Sequence, residues 1–409
     1  MFSICDSKRQ KSCAINQKGL GLRHCHVNGK SIVTQIRLDE LIEIIDGMIK
    51  PFFIAILPKS NIRVPLKQFY KFKSLKVLCM KKLKIGMIGC GGIAGVHAER
   101  LKTLPEVKIV AFADIVEENA KTFAKKYEGT PYKDWHKMLD KEKLDIVFIC
   151  LPPFAHTDEV EVAAEKGIHV FIEKPIALNM KLARNMVKAI TKHGVKSQVG
   201  YCQRFSYSVE EAKRLIQSGE AGEPGLAVGW YWCHFLGGEW WRNKNKSGGQ
   251  IVEQSTHVYD AFRYLCGDID EVYGQKNIKF WTDVPNLTTE DVNSSTFRFK
   301  SGAIGTISAT TWGAASQWWL RWMIAAKNYT MSSENSKTLT LYSTTNTDEI
   351  KTLTEERDVY LLESKDLIQA VLNDGETRTP IQEGAKTLEF TLAARESMEN
   401  GRPVKLPLQ

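Results

Sequence analysis

The stretch Leu83-Lys84-Ile85-Gly86-Met87-Ile88-Gly89-Cys90-Gly91-Gly92-Ile93-Ala94 decides the fold of this chain. Its first half is a short apolar run, read as a strand over Leu83–Gly89. Its second half fits the pattern G-x-G-x-x-A at the point where a strand gives way to a helix. Each residue type there has a physical task. Gly89 permits the tight turn, Gly91 lets a pyrophosphate approach the backbone, and Ala94 lets the helix lie close to the strand. The free N–H groups and positive dipole end of that helix favour phosphate. The whole turn, Gly89, Gly91, Gly92, Ile93 and Ala94, is therefore the expected dinucleotide cradle.

Working outward, a second strand over Val107–Ala113 ends in Asp114, placed to accept hydrogen bonds from the ribose hydroxyls of NAD and to repel the extra phosphate of NADP. NAD is the expected cofactor, with NADP the alternative. The other reading of Asp114 is a cap for the helix that begins Glu117-Glu118-Asn119. Further strands are read over Asp145–Cys150, His169–Ile172 and Lys196–Gly200, with helical segments between. Such alternation argues for a doubly wound parallel sheet of Rossmann type, which binds ligands outside the carboxyl ends of its strands. Gly89, Asp114, Leu151-Pro152 and Glu173-Lys174 all follow strands, so the chemistry should converge there.

From about Leu226 the text becomes β-rich. Strands are expected over Leu226–Phe235, Val272–Phe280, Ser294–Phe299, Ala303–Thr311 and Leu320–Ala326, with a hairpin turn at Lys300-Ser301-Gly302. A late helix runs roughly Glu383–Glu399. The fold class is thus α/β: a Rossmann-type domain over 80–203, then an α+β domain over 204–409 with a mostly antiparallel sheet, one face covered by the helix near His257. The tryptophans at 230, 232, 312, 318, 319 and 322 are read as sheet core and oligomer interface, where Trp is enriched. For Trp240, Trp241 and Arg242 a substrate loop is weighed equally.

Composition excludes several classes. The 409 residues carry a net charge of +9, but residues 1–79 alone hold 14 Lys and Arg against 5 Asp and Glu, leaving 42 of each sign in the remainder. The body of the chain offers no field for a nucleic acid or an anionic membrane surface. Its nine cysteines show no metal-like CxxC or CxxH pairing, so no metal site is expected, and buried reduced thiols in a cytoplasmic protein are favoured over disulfides. The start carries no secretory pattern, and the apolar run Phe52–Leu57 is too short to span a bilayer. Residues 1–79 lack tryptophan and sustained periodicity. Met80 is read as the natural start, with the extension dispensable or disordered; the rival is an accessory segment with a short amphipathic helix over Leu38–Ile49.

Taken in order, GCGGIA (89–94), CLPPFAH (150–156), EKP (173–175), GYCQRF (200–205) and SGGQIVEQSTHVYD (247–260) resemble the Gfo/Idh/MocA oxidoreductase family over roughly residues 82–408. The resemblance implies an NAD(P)-dependent dehydrogenase of sugars, cyclitols or related polyols, a homodimer or homotetramer built on the open sheet face, and a site assigned residue by residue. Lys174 of the EKP motif stands beside the nicotinamide and the reacting hydroxyl, and the Lys174–Pro175 bond is often cis in the family. Glu253 and His257 fill the family's D-x-x-x-H pair, although Glu253 replaces the usual Asp and Gly248-Gly249-Gln250 the usual triple glycine. The catalytic set is Lys174, His257 and Glu253. The cofactor set adds Leu151, Pro152, His156 and Glu173, and the substrate set is Tyr201, Arg204, Trp241, Arg242 and Asp260.

The chemistry stands without the name. Oxidising a secondary alcohol needs a base for the hydroxyl proton and a fixed nicotinamide for the hydride. Lys174, near a cationic ring and a dry wall, should lose some proton affinity. Glu253 and His257, four apart on an expected helix, should share a face. His156 and His234 are read as structural or merely lining. Two rivals use the same scaffold. One is a lyase or glycosidase in which tightly held NAD oxidises and re-reduces the substrate. The other is a non-catalytic NAD-sensing regulator, against which the presence of both Lys174 and His257 argues.

Overall fold

The computed structural model describes residues 11–15, 21–27, 30–36 and 82–409. The chain divides into two compact units, Met1–Ser74 and Leu75–Gln409. In the first, β1 (Lys11–Ile15), β2 (Gly21–Val27) and β3 (Lys30–Ile36) form an antiparallel sheet that the lack of sequence periodicity did not foretell. The helix expected over Leu38–Ile49 and the start expected at Met80 lie outside the described residues.

The second unit opens with the anticipated alternation. Strands β4 (Leu83–Ile88), β5 (Val107–Ala113), β6 (Thr130–Tyr132), β7 (Ile146–Ile149), β8 (His169–Ile172) and β9 (Ser197–Val199) pair in the order β6-β5-β4-β7-β8-β9, every pair parallel. Helices α1 (Gly92–Leu101), α2 (Glu117–Tyr127), α3 (Trp135–Lys141), α4 (Glu159–Glu165) and α5 (Met180–His193) connect them. Residues of β4, β7 and β8 are fully enclosed on both faces, which is why these strands read as continuous apolar runs. Only β6 went unread: its three residues, Thr-Pro-Tyr, are too few for a periodic signal.

Next come α6 (Tyr207–Gln217), β10 (Pro224–Cys233), the short helices α7 (Glu239–Arg242), α8 (Lys244–Ser247) and α9 (Gln250–Glu253), and α10 (Thr256–Cys266). Strands β11 (Ile269–Asn277), β12 (Val292–Phe299), β13 (Ile304–Thr310), β14 (Trp318–Ala326), β15 (Tyr329–Asn335), β16 (Thr338–Ser343) and β17 (Ile350–Thr354) follow, then α11 (Val359–Asn373), α12 (Ile381–Asn400) and β18 (Val404–Lys405). The nine-stranded sheet has the order β17-β16-β15-β14-β10-β13-β12-β11-β18, antiparallel except for β10 with β13. The expected hairpin closes β12 onto β13 through Gly302, whose φ is +92°. Strands β15 to β17 are Ser- and Thr-rich and were not read.

Two contacts fix the covered face of this sheet. A Cβ on Gly229 of β10 would lie 2.8 Å from Phe262 and Val258 of α10, so only glycine admits so close a helix. Trp322 and Ile324 point into the same interior. The opposite face leaves Leu226, Trp232, Ile304 and Met323 exposed. Helix α11 then leaves the antiparallel sheet and returns to the parallel one: Leu367 and Ile368 join Ile85, Ala94, Phe148 and Phe171 in one core cluster. No helix among the described residues is long and apolar enough to cross a membrane.

Candidate active site

Because all six strands of the first sheet run the same way, the residues that follow β4, β5, β7, β8 and β9 share one edge. These are Gly89, Asp114, Leu151-Pro152, Glu173-Lys174 and Tyr201. At Gly89, with φ +86°, a Cβ would sit 2.5 Å from the Cys150 carbonyl, so the turn cannot take a larger residue. At Gly91 and Gly92 the opposite holds: a Cβ there meets nothing within 4 Å. The N-terminus of α1 has no side-chain cap and no acidic residue in its first turn, so its N–H groups are open to an anion. This bare, open cradle fits a dinucleotide pyrophosphate.

Asp114 ties the cradle to β5. Its Oδ2 accepts from Cys90 N–H at 2.8 Å and its Oδ1 from Val116 N–H at 2.8 Å. It does not cap α2 itself, whose N-cap is Val116. Beside it Ile115 and Val116 are 84% and 53% exposed, an apolar platform next to the acid that would hold the ribose. His156 is buried with Nδ1 2.5 Å from Glu159 Oε1, while its Nε2 has no partner.

Lys174 lies after β8, and its bond to Pro175 is cis. Its Nζ donates to the Glu253 carbonyl at 2.8 Å and to Glu253 Oε1 at 3.2 Å. Glu253 Oε2 accepts from the indole N–H of Trp241 at 2.8 Å. The extra methylene of Glu253 thus lets one carboxylate bridge Lys174 and Trp241. Two sequence expectations are corrected here. Burial does pull the Lys174 proton affinity down, but Glu253 and Glu173 outweigh it and the ammonium holds its proton more tightly than usual. Glu253 and His257 do not share one helix either: α9 ends at Glu253, and Gln254, with φ −108° and ψ −61°, breaks the run before α10.

The start of α9 is closely packed. Gly248 and Gly249 have φ +87° and +93°, and Glu290 fills the space where a Gly249 Cβ would be, at 2.7 Å, accepting from Ile251 N–H. His257 stands on the first turn of α10 with its ring 6.3 Å from that of Tyr201. Burial, and then the Lys174 ammonium, lower its pKa to about 3, so the imidazole is neutral. Tyr201 is buried and its hydroxyl lies 3.2 Å from Thr256 Oγ1.

The expected substrate set divides. Arg204 and Asp260 are 1% and 0% exposed and form a two-pronged ion pair at 2.8 and 2.7 Å, with Thr387 donating to Asp260 at 2.8 Å. Both lie in the interior. Trp241 is 3% exposed and faces Glu253. Arg242 is half-buried and donates to the Gly237 carbonyl at 2.8 Å. Sequence reasoning weighed Trp240 as part of a substrate loop but missed Phe154, which approaches it at 6.3 Å across the two halves of the unit with Lys246 over the Phe154 ring. It also missed His97 and Glu363, which meet Glu173 behind the lysine.

Comparison with known proteins agrees with this geometry. A family model described as "Oxidoreductase family, NAD-binding Rossmann fold" matches residues 83–201, and the model of the "GFO/IDH/MocA C-terminal domain" matches 209–331. The chain is 26% identical over 344 residues to a myo-inositol 2-dehydrogenase of Thermotoga maritima, covering 79% of this chain and 98% of that protein. It is 28% identical over 342 residues to a scyllo-inositol 2-dehydrogenase (NAD(+)) of Bacillus subtilis, covering 80% and 97%. In fold it resembles a levoglucosan dehydrogenase solved with NADH and levoglucosan, with a TM-score of 0.75 at 20% identity over 80% of this chain and 100% of that one. With both halves matched in order behind a dinucleotide cradle, the chain belongs to the Gfo/Idh/MocA family of NAD-binding oxidoreductases.

Proposed function

We propose that this dehydrogenase transfers hydride between NAD and a secondary hydroxyl of a cyclitol, sugar or related polyol. The observation that carries the reading is the convergence of Lys174, Glu253 and His257 beside the carboxyl ends of β8 and β9. The Gly89–Ala94 turn and Asp114 would hold NAD, which when bound would supply the hydride acceptor. The protein's share is position and proton traffic. The Lys174 ammonium, fixed by Glu253, offers a hydrogen bond to the substrate oxygen and stabilises negative charge developing there. Neutral His257 accepts the hydroxyl proton. Because the lysine's charge lowers the imidazole's proton affinity, the two groups carry one positive charge between them at rest.

The substrate class is supported by the inositol dehydrogenases among the relatives and by the levoglucosan complex of the structural neighbour. The exposed apolar face of the nine-stranded sheet supports a homodimer or homotetramer. Free thiols at Cys90, Cys150, Cys202, Cys233 and Cys266 support a cytoplasmic enzyme.

A panel of inositols, aldoses and anhydrosugars, each with NAD or NADP, tests the reading by absorbance of reduced cofactor. A CH–OH dehydrogenase accumulates NADH, and Lys174→Ala lowers that rate at least about 100-fold. Substrate loss with cofactor unchanged would instead indicate internal redox cycling. Undiminished activity in Lys174→Ala would overturn the catalytic assignment.

A further inference from the structure

Behind Lys174 lies a closed pocket of three ionisable side chains drawn from distant parts of the chain. His97 comes from α1, Glu173 follows β8 and Glu363 comes from α11; all are buried, and one ligating atom of each lies within 4.8 Å of the others. His97 Nε2 is 2.8 Å from Glu173 Oε1. Glu173 Oε2 accepts the backbone N–H of Lys174 at 3.1 Å. Gly200 makes room for this carboxylate, since a Cβ there would lie 2.9 Å from it. Phe148 and Phe171 wall the pocket, with ring centroids 5.6 and 4.7 Å from that of His97. Neither oxygen of Glu363 has a hydrogen-bond partner.

Two ionised carboxylates so close together and so dry would carry an uncompensated charge, and Glu363 has no donor to stabilise it as an anion. As a neutral acid it becomes a donor, and the nearest charged acceptor is Glu173. We propose that Glu363 is a positioning residue of this enzyme: it carries a proton and, together with His97, pins the Glu173 carboxylate that orients the backbone of Lys174. Glu173 is held by two donors, His97 and Lys174 N–H, and a carboxyl oxygen of Glu363 lies within 4.8 Å of its own, placed to add a third when it carries a proton. Burial first, and the Glu173 charge second, push the Glu363 carboxyl well above the usual range, in keeping with this state. The titratable groups around Glu363 are Glu173, His97, Cys150, Cys202, Asp358, Tyr360 and Asp366. The Nδ1 of His97 has no partner, so its one polar contact in this cluster is the one its Nε2 makes with Glu173.

The inference rests on the catalytic role proposed for Lys174, so its test includes an arm that needs no turnover. Infrared spectra of the whole protein at neutral pH should show the carbonyl stretch of a protonated carboxyl group, shifted in heavy water and lost in Glu363→Gln. In kinetics, Glu363→Gln keeps the volume and a donor without a charge and should hold kcat within about 3-fold, with the same pH profile. Glu363→Leu removes the donor and should lower kcat at least about 10-fold through loss of alignment, while the NADH dissociation constant stays within about 2-fold. If the band is absent, or if Gln is as damaging as Leu, Glu363 is an anion and the proposal fails; a metal ion found stoichiometrically in wild type and lost in Glu363→Gln would have the same force. An unchanged kcat in Glu363→Leu would remove the positioning role. If no polyol is turned over at all, the infrared result still decides the protonation state.

Discussion

The indole N–H of Trp241 and the ammonium of Lys174 are held by the two oxygens of one carboxylate, Glu253, at 2.8 and 3.2 Å. Trp241 contributes through that carboxylate. Trp241→Phe keeps the ring and deletes the donor, so Glu253 is free to turn from Lys174. Steady-state kinetics should show kcat reduced about 10-fold, with a smaller change in KM.

Glu253 raises the proton affinity of Lys174 against the pull of burial. Glu253→Gln keeps the shape and removes the charge, so Lys174 loses its proton at lower pH. The alkaline limb of kcat/KM should therefore move to lower pH in this variant. A limb that stays put or moves upward would contradict the pairing.

The glycine turn separates folding from binding. A Cβ at Gly91 enters open space, whereas one at Gly89 meets the Cys150 carbonyl at 2.5 Å in a left-handed backbone. Gly91→Ala should melt like wild type yet bind NADH at least about 10-fold more weakly, since it fills the path of the pyrophosphate. Gly89→Ala should lose thermal stability outright.

Arg204 and Asp260 stabilise the interior as a pair. Asp260→Ala leaves a buried guanidinium without its carboxylate and should cost about 3–5 kcal/mol in chemical denaturation. Converting both residues to apolar side chains should cost less than that single change.

His257 supplies an acid-side signature. Its pKa falls from the ordinary 6.5 in the unfolded chain to about 3 in the folded one, because of burial and then Lys174. Between those values the unfolded chain binds a proton that the folded one refuses. Stability is thus full above pH 6.5 and drains on acidification, at up to about 1.4 kcal/mol per pH unit from this group. Urea titrations of wild type and His257→Gln should differ by this slope across that window.

Much of the site was legible because it follows from local order. Gly89, Asp114 and Lys174 each come directly after an apolar run, and parallel strands bring such positions to one edge. What stayed hidden depends on partners remote in sequence. Arg204 and Asp260 look like ligand-binding charges until folding pairs them. Gln254 and Ser255 carry no helix-breaking signal, so the interruption between α9 and α10 left no local mark. The tight hold of Lys174 on its proton depends on where Glu253 lands. Glu363 had no motif at all, and only the return of α11 to the first sheet brings it behind the lysine.

That return has a practical outcome for dissecting the molecule. Because Leu367 and Ile368 complete the hydrophobic layer beneath the glycine turn, a fragment ending at Tyr201 would expose a raw apolar seam. Anyone transplanting the nucleotide module onto another scaffold must carry α11 along as a separate polypeptide or a circularly permuted tail.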